Sequence, residues 1–204
     1  MTSALRLKAI LRAQAQALEQ CFWNGDNLAG LLEARTADVD AALAHLWAEC
    51  VEATLPAPTA LALIAVGGYG RCELLPHSDI DLLILRAESL PEAVCAEPLA
   101  AFITALWDAG LHVGHSVRTL AECRHEAARD ITIYTNLLES RRLQGDIQLT
   151  AGLEHLLADP TLWPPPTFFA AKWEEQRARH RRYDDTAYNL EPNIKDGPGG
   201  LRDA

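Results

Sequence analysis

Gly67-Gly68-Tyr69-Gly70-Arg71 is followed, eleven positions after Gly68, by Asp79-Ile80-Asp81. This stretch leaves one apolar segment, Leu61–Val66, and enters another, Ile80–Leu85. Runs of this length rich in Ile, Val and Leu and bounded by Gly or Pro read as buried strands. Side chains alternate along a strand, so Asp79 and Asp81 are expected on one face while Ile80 turns into the core. Two carboxylates about 5 Å apart would repel by roughly 3 kcal/mol at an effective dielectric near 20. A shared proton or a bound cation relieves that repulsion. Hard oxygen donors suit Mg²⁺ or Mn²⁺, and Mg²⁺ takes one or two protein carboxylates and completes its shell with water and substrate phosphate.

The glycines supply the complementary half. Without a Cβ, Gly67 and Gly68 let backbone N–H groups approach phosphate oxygens closely. Arg71 is a candidate charged clamp, and the Ser78 hydroxyl a candidate phosphate donor. A Gly-Gly-Tyr-Gly turn alone is an ordinary tight connection, and a lone Asp-x-Asp an ordinary solvated strand end. Joined in this order they point to nucleotidyl transfer. The stretch is neither a Walker loop, since no Gly-Lys-Ser/Thr follows, nor a dinucleotide fingerprint, since Cys72 and Glu73 stand on the way to a missing third glycine.

Around this motif the pattern is α/β (α+β), a small mixed sheet flanked by helices. Leu5–Leu18 and Leu28–Val51 carry apolar residues at helical spacing, and Pro56 and Pro58 break the pattern before the first strand. Pro91 opens a helix through Trp107 that Gly110 ends, and Leu111–Val117 is a third strand. A helix is expected from Asp130 or Thr132 through Leu143, and a shorter one over Thr150–Leu157. Pro160 and Pro164–Pro166 mark a bend before a long helix from about Thr167 to Tyr188. Three segments result: a helical part over 1–58, a nucleotidyltransferase core over 59–147, and a helical extension with a Gly/Pro-rich end over 148–204. Among the histidines, His77 and His115 lie near the motif, as structural residues or as contacts for substrate or proton transfer, while His45, His112, His125, His155 and His180 show no metal-ligand spacing; none is assigned to catalysis.

Composition narrows the class. A net charge of −10 over 204 residues disfavours non-specific nucleic-acid binding. The basic run Lys172, Arg177, Arg179, His180, Arg181 and Arg182 is interleaved with Glu174 and Glu175 and reads as a solvated helix face or as a contact for triphosphate. Five scattered cysteines without a Cys-x-x-Cys pair fit a reducing cytosol. No apolar run reaches spanning length, and Arg6, Lys8, Arg12 and Glu19 interrupt any leader-like core. The expectation is a cytoplasmic protein with neither a membrane nor a nucleic-acid partner.

The run GGYGRCELLPHSDIDLLIL (Gly67–Leu85) resembles the nucleotidyltransferase motif of the DNA polymerase β superfamily, in the form carried by bacterial PII uridylyltransferase/uridylyl-removing enzymes. NLEPNIKDGPGGLRD (Asn189–Asp203) is similar to a second signature of that family, and GLHVGHSVRTL (Gly110–Leu120) and TNLLESRRLQGD (Thr135–Asp146) also fit. The likeness covers most of the chain beyond about residue 60. Cys72 departs from it, standing where the family more often has a small residue.

The resemblance implies a reaction in which UTP and the PII signalling protein give uridylylated PII and pyrophosphate. A PII tyrosine would attack the α-phosphorus, with Mg²⁺ or Mn²⁺ held by Asp79 and Asp81. A related transferase with another acceptor, and a non-catalytic fragment that binds nucleotide or a partner, remain as alternatives. The superfamily usually adds a third carboxylate from a later strand, but His112–Val117 holds no acid. Glu139 is preferred over Asp130 for that place; its alternative is an ion-paired helix acid beside Arg141 and Arg142. Lys195 or Arg202 in the terminal segment would approach phosphate if that segment folds over the nucleotide; otherwise it is a mobile tail. The family's HD phosphohydrolase and ACT domains have no counterpart here, and no His is directly followed by Asp. The expectation is therefore transfer without the reverse reaction or glutamine sensing, in a fragment or a truncated relative.

Overall fold

The computed structural model describes residues 3–55, 60–188 and 191–203. The break at Pro56 and Pro58, the segment boundary at 58/59 and Asn189 at the start of the terminal segment lie outside the described residues. The chain forms two compact units, Met1–Ala158 and Asp159–Ala204.

The first unit is built on a four-stranded sheet of order β3-β2-β1-β4. Strand β1 is Leu61–Ala65 and β2 is Ile80–Arg86, paired antiparallel from Leu61↔Arg86 to Ala65↔Leu82. Strand β3, Val113–Arg118, runs parallel to β2, with Asp81 opposite Gly114. Strand β4, Arg141–Gly145, closes the other edge antiparallel to β1, with a register shift at Leu63/Ile64.

All five β1 residues are buried, as a strand covered on both faces requires. Leu61, Leu63 and Ala65 face a core filled from helix α2 (Leu28–Trp47), the π-helical turn Ala48–Glu52 that extends it, and helix α4 (Glu92–Asp108). There Trp47 and Phe102 meet edge to face, with centroids 5.2 Å apart. Helices α5 (Leu120–Arg129), α6 (Ile131–Leu138) and α7 (Ile147–Leu157) supply the buried Cys123, Ala127, Ile131, Leu137 and Leu153, and α7 packs on β1 and β2. Helix α1 (Ser3–Trp23) packs on α2 and α4.

Two readings of the chain are corrected. The helix expected to run through Leu143 stops at Leu138, and Arg141–Gly145 is a strand instead. Its backbone pairs with β1, and Gly145 (φ +84°) lies against the Leu61 carbonyl, where any Cβ would stand 2.2 Å from that oxygen. Tertiary pairing thus overrides a run with no strong strand signal of its own. Helix α5 was not foreseen, although Thr119 and Glu122 form a reciprocal capping box at its start. No helix among the described residues is long and apolar enough to cross a membrane. All five cysteines are free thiols.

In the second unit, helix α8 (Pro165–Arg181) starts on the proline triplet and ends short of Tyr188. Asp184 and Asp185, both at positive φ, turn the chain away from the helix. The Gly/Pro-rich segment then folds onto α8 through Asp203. Its carboxylate accepts from Arg179, from Gln176 at 3.1 Å, from His180 at 2.8 Å and from the Gly199 N–H at 2.8 Å. Arg202 pairs with Asp196 at 3.1 Å. On α8 itself, Lys172 pairs with Glu175 and Arg177 with Glu174.

Candidate active site

The site begins where β1 ends. Val66 is still extended, and Gly67 at φ +60° turns the chain into a single helical turn, α3 (Gly67–Gly70). At that φ a non-glycine residue is strained, and a Cβ would stand 2.5 Å from the side-chain oxygen of Asn136. Gly70 is fixed by space: its Cβ would fall 1.7 Å from the Glu139 carbonyl oxygen.

Tyr69 holds this turn in place. Its buried ring lies under Arg141, whose guanidinium carbon is 5.4 Å from the ring centroid, and its hydroxyl donates to Asp40 at 2.6 Å. Arg141 donates to both Asp40 oxygens at 2.7 and 3.1 Å, and to the carbonyls of Tyr69 and Gly70 at 3.3 Å each. Burial and the Asp40 carboxylate together push the Tyr69 phenol well above its ordinary pKa. Burial works against the Arg141 charge, but the bonds to Asp40 outweigh it and its pKa rises. Asp40 and Arg141, 101 residues apart, were not found by sequence reasoning. No local pattern marks either, because each acquires its role only when α2 and β4 meet at α3.

The acids follow at the start of β2, Asp79 immediately before it and Asp81 its second residue. Asp79 is exposed and Asp81 half-buried, while Ile80 between them is 3% exposed in the core. Both carboxylates line one open cleft of about 540 Å³, together with Trp107 and the Gly110–Gly114 segment. The Asp81 carboxylate sits between two glycines. A Cβ on Gly114 would stand 2.8 Å from its Oδ1, and one on Gly67 would stand 3.8 Å from its Oδ2. Among the described residues neither acid takes part in an ion pair. Burial and then the Asp79 charge raise the Asp81 pKa.

The remaining motif residues are distributed differently. Gly68 is half-buried in α3. Arg71 caps α3, and its guanidinium is bound by Glu73 at 2.8 Å and Glu139 at 2.6 Å, which raises its pKa. Ser78 is half-buried, with its backbone N–H closing a turn onto the Leu75 carbonyl.

Neither candidate for a third carboxylate joins the pair. Glu139 caps the end of α6 and pairs with Arg71, so it is the ion-paired acid of the alternative reading, with a different partner from the arginines expected. Asp130 caps the start of α6, accepting from the Thr132 N–H at 2.7 Å. No group of three or more His, Cys, Asp or Glu side chains among the described residues is arranged to hold a metal. Asn136, which the sequence reading also missed, brings its amide against Gly67 beside Asp81. His115 packs edgewise on Trp107, with centroids 6.4 Å apart.

Residues 12–125, which contain the glycine turn, both acids and β3, match the family model described as putative nucleotidyltransferase DUF294. The chain belongs to this nucleotidyltransferase family. Residues 167–204 match the model described as GlnD PII-uridylyltransferase. Over 196 residues, 96% of its length, the chain is 47% identical to a bifunctional uridylyltransferase/uridylyl-removing enzyme of Azotobacter vinelandii, of which it covers 21%. The corresponding enzyme of Stutzerimonas stutzeri is 46% identical over the same share of each chain. That of Methylococcus capsulatus is 46% identical, with 22% of its length covered. The chain thus spans about a fifth of the length of the curated relatives it matches. A solved structure titled as a toxin-antitoxin with AMP-PNP aligns with 69% of this chain and 95% of its own, at 18% identity and a TM-score of 0.32, too low to carry an argument.

Proposed function

We propose that this family member transfers UMP from UTP to a tyrosine of the PII signalling protein and releases pyrophosphate, in the cytoplasm. The observation that carries the reading is the pair of carboxylates, Asp79 and Asp81, open to one cleft and, among the described residues, in no ion pair. The similarity to uridylyltransferase/uridylyl-removing enzymes supplies UTP and PII.

The residues present fit a divalent ion. Two neighbouring carboxylates, one of them raised in pKa by burial and then by the other's charge and set in a cradle between glycines, are a suitable protein share for Mg²⁺ or Mn²⁺. Asp79 and Asp81 would hold it, and when bound it supplies charge stabilisation for phosphoryl oxygens.

The chain's own groups do the rest by position. The leading N–H groups of α3, at Gly67 and Gly68, have no preceding helical turn to bond and are assigned to phosphate oxygens. Ser78 is assigned a supporting hydroxyl contact. Arg71, bound by two glutamates, serves to fix the turn against α6 unless substrate displaces one of them. Asp40, Tyr69 and Arg141 keep α3 rigid, so little reorganisation is needed when charge develops at the α-phosphorus.

The test is incubation of the full chain with α-labelled UTP, Mg²⁺ or Mn²⁺ and PII. Label is expected on PII, falling at least about 100-fold in Asp79→Asn and in Asp81→Asn, since such ions contribute several kcal/mol to the barrier. Undiminished transfer by either variant overturns the assignment of these acids.

A further inference from the structure

The acid cleft has a basic neighbour. A second pocket of about 400 Å³ lies between α1, α2 and the turn before β3, and it shares Gly110 and Leu111 with the cleft of Asp79 and Asp81. Its lining holds three cations, Lys8, Arg12 and Arg35, against one acid, Asp38, in a chain whose net charge is −10. Asp38 is itself engaged by the Gln14 amide at 2.6 Å. Among the described residues, Lys8, Arg12 and Arg35 take part in no ion pair. Lys8 stands at the boundary between the two cavities. Its Cε and Nζ lie 3.2 and 3.6 Å from where a Gly110 Cβ would be, and Gly110, at φ +85°, has none.

Arg35 adds a second, independent observation. One arm of its guanidinium donates to the Pro76 carbonyl at 2.9 Å, but its buried Nε–H has no acceptor. Burial lowers its pKa despite the nearby Asp38. A buried charge-bearing donor left without a partner is costly, and it belongs to a side chain that lines this pocket. Arg71, the arginine of the glycine motif, is by contrast already taken by Glu73 and Glu139. This pocket thus holds open positive charge beside the acid cleft.

We propose that the pocket formed by Lys8, Arg12 and Arg35 beside Gly110 binds the phosphate chain of a polyphosphate ligand. A chain of phosphates carries several negative charges in a row, which matches three spaced cations better than a single carboxylate would. The volume falls within the range of small-molecule sites. The phosphates belong either to the substrate triphosphate and its pyrophosphate product, reaching past Gly110, or to a separate polyphosphate ligand. The first source rests on the transferase reading above; the second does not.

The test is calorimetric titration of inorganic tripolyphosphate into the full chain at low salt with EDTA, where the cleft acids repel the probe. Saturable binding is expected, at least tenfold weaker in Lys8→Gln/Arg12→Gln and retained in Asp79→Asn. Lys8→Arg, which keeps the charge, should bind as the unsubstituted chain does, with matching melting temperatures controlling for folding. Absence of saturable binding at millimolar probe overturns the proposal, as does equal binding by the double variant or loss in Lys8→Arg as large as in Lys8→Gln. UTP displacing the probe, with a raised KM for UTP in the double variant, supports the pocket with the substrate as source. Simultaneous binding of UTP and probe supports it with a separate ligand. Loss of transfer in Asp79→Asn with probe binding intact separates this inference from the fate of the transferase reading.

Discussion

Asp81 and Asp203 are both carboxylates withdrawn from full solvent, yet their surroundings are opposite. Asp203, in the second unit, is ringed by donors from Gln176, Arg179, His180 and the Gly199 backbone. The His180 bond, outweighing desolvation together with Gly199, Arg179 and Gln176, holds its pKa far below the carboxylate range. Asp81, in the first unit, has only burial and the like charge of Asp79, and its pKa rises. A carboxylate supplied with its own donors is a structural clasp, and one left without them in a cleft is available to an external cation.

The comparison breaks if the two acids respond alike to neutralisation. Asp203→Asn removes the charge and one of the two acceptor oxygens that draw the terminal segment onto α8, so amide hydrogens at Gly199 through Asp203 should exchange at least about tenfold faster. Asp81→Asn removes a half-buried, like-charged neighbour, so the metal-free chain should melt at the same or a higher temperature even as transfer is lost. A drop in melting temperature for Asp81→Asn would make it another clasp.

Asp40 sharpens the contrast inside the first unit, since it is a paired acid within the same structural neighbourhood. Asp40→Ala leaves the half-buried Arg141 without its bidentate partner and Tyr69 without its acceptor. A loss of about 1–3 kcal/mol in urea unfolding is expected, reduced from a fully buried pair by the exposure of both side chains. Asp40→Asn, which keeps an acceptor for Tyr69, should lose less. Equal losses would mean that the charge alone matters.

The smallest effect is the pH dependence. The folded-state pKa of Asp203 lies below its unfolded value, so below about pH 4 the unfolded chain takes up the proton more readily. The stabilisation from this acid is present above that range and lost as pH falls through it. Hydrogen exchange in 191–203 should accelerate on acidification in the unsubstituted chain and be nearly flat in Asp203→Asn.

How much of this was legible in the residues follows from the range of each interaction. The buried strands Leu61–Ala65 and Ile80–Arg86 were legible because continuous apolar runs between glycines and prolines leave little choice. Strand alternation placed Asp79 and Asp81 on one side, and both line one cleft, although Asp79 stands just before β2. Strand β4 was misread because Arg141-Arg142-Leu143-Gln144-Gly145 has little strand character, and its pairing depends on β1, some eighty residues earlier. The engagement of Arg71 by Glu139 and of Tyr69 by Asp40 and Arg141 was hidden for the same reason, since these contacts join elements distant in sequence. Of the cations of the second pocket, Lys8 and Arg12 read only as interruptions of a leader-like core and Arg35 carried no signal, because the pocket exists only once α1 packs beside the Gly110 turn.

The central claim is that Asp79 and Asp81 act together to hold a divalent cation. Titration of Mn²⁺ into the full chain, followed by the loss of the free-ion electron paramagnetic resonance signal, tests it without reference to nucleotide or acceptor. The account predicts saturable binding to the unsubstituted chain, weakened at least about tenfold in Asp79→Asn and in Asp81→Asn and unchanged in Asp40→Asn. Binding that survives both single substitutions undiminished would contradict it.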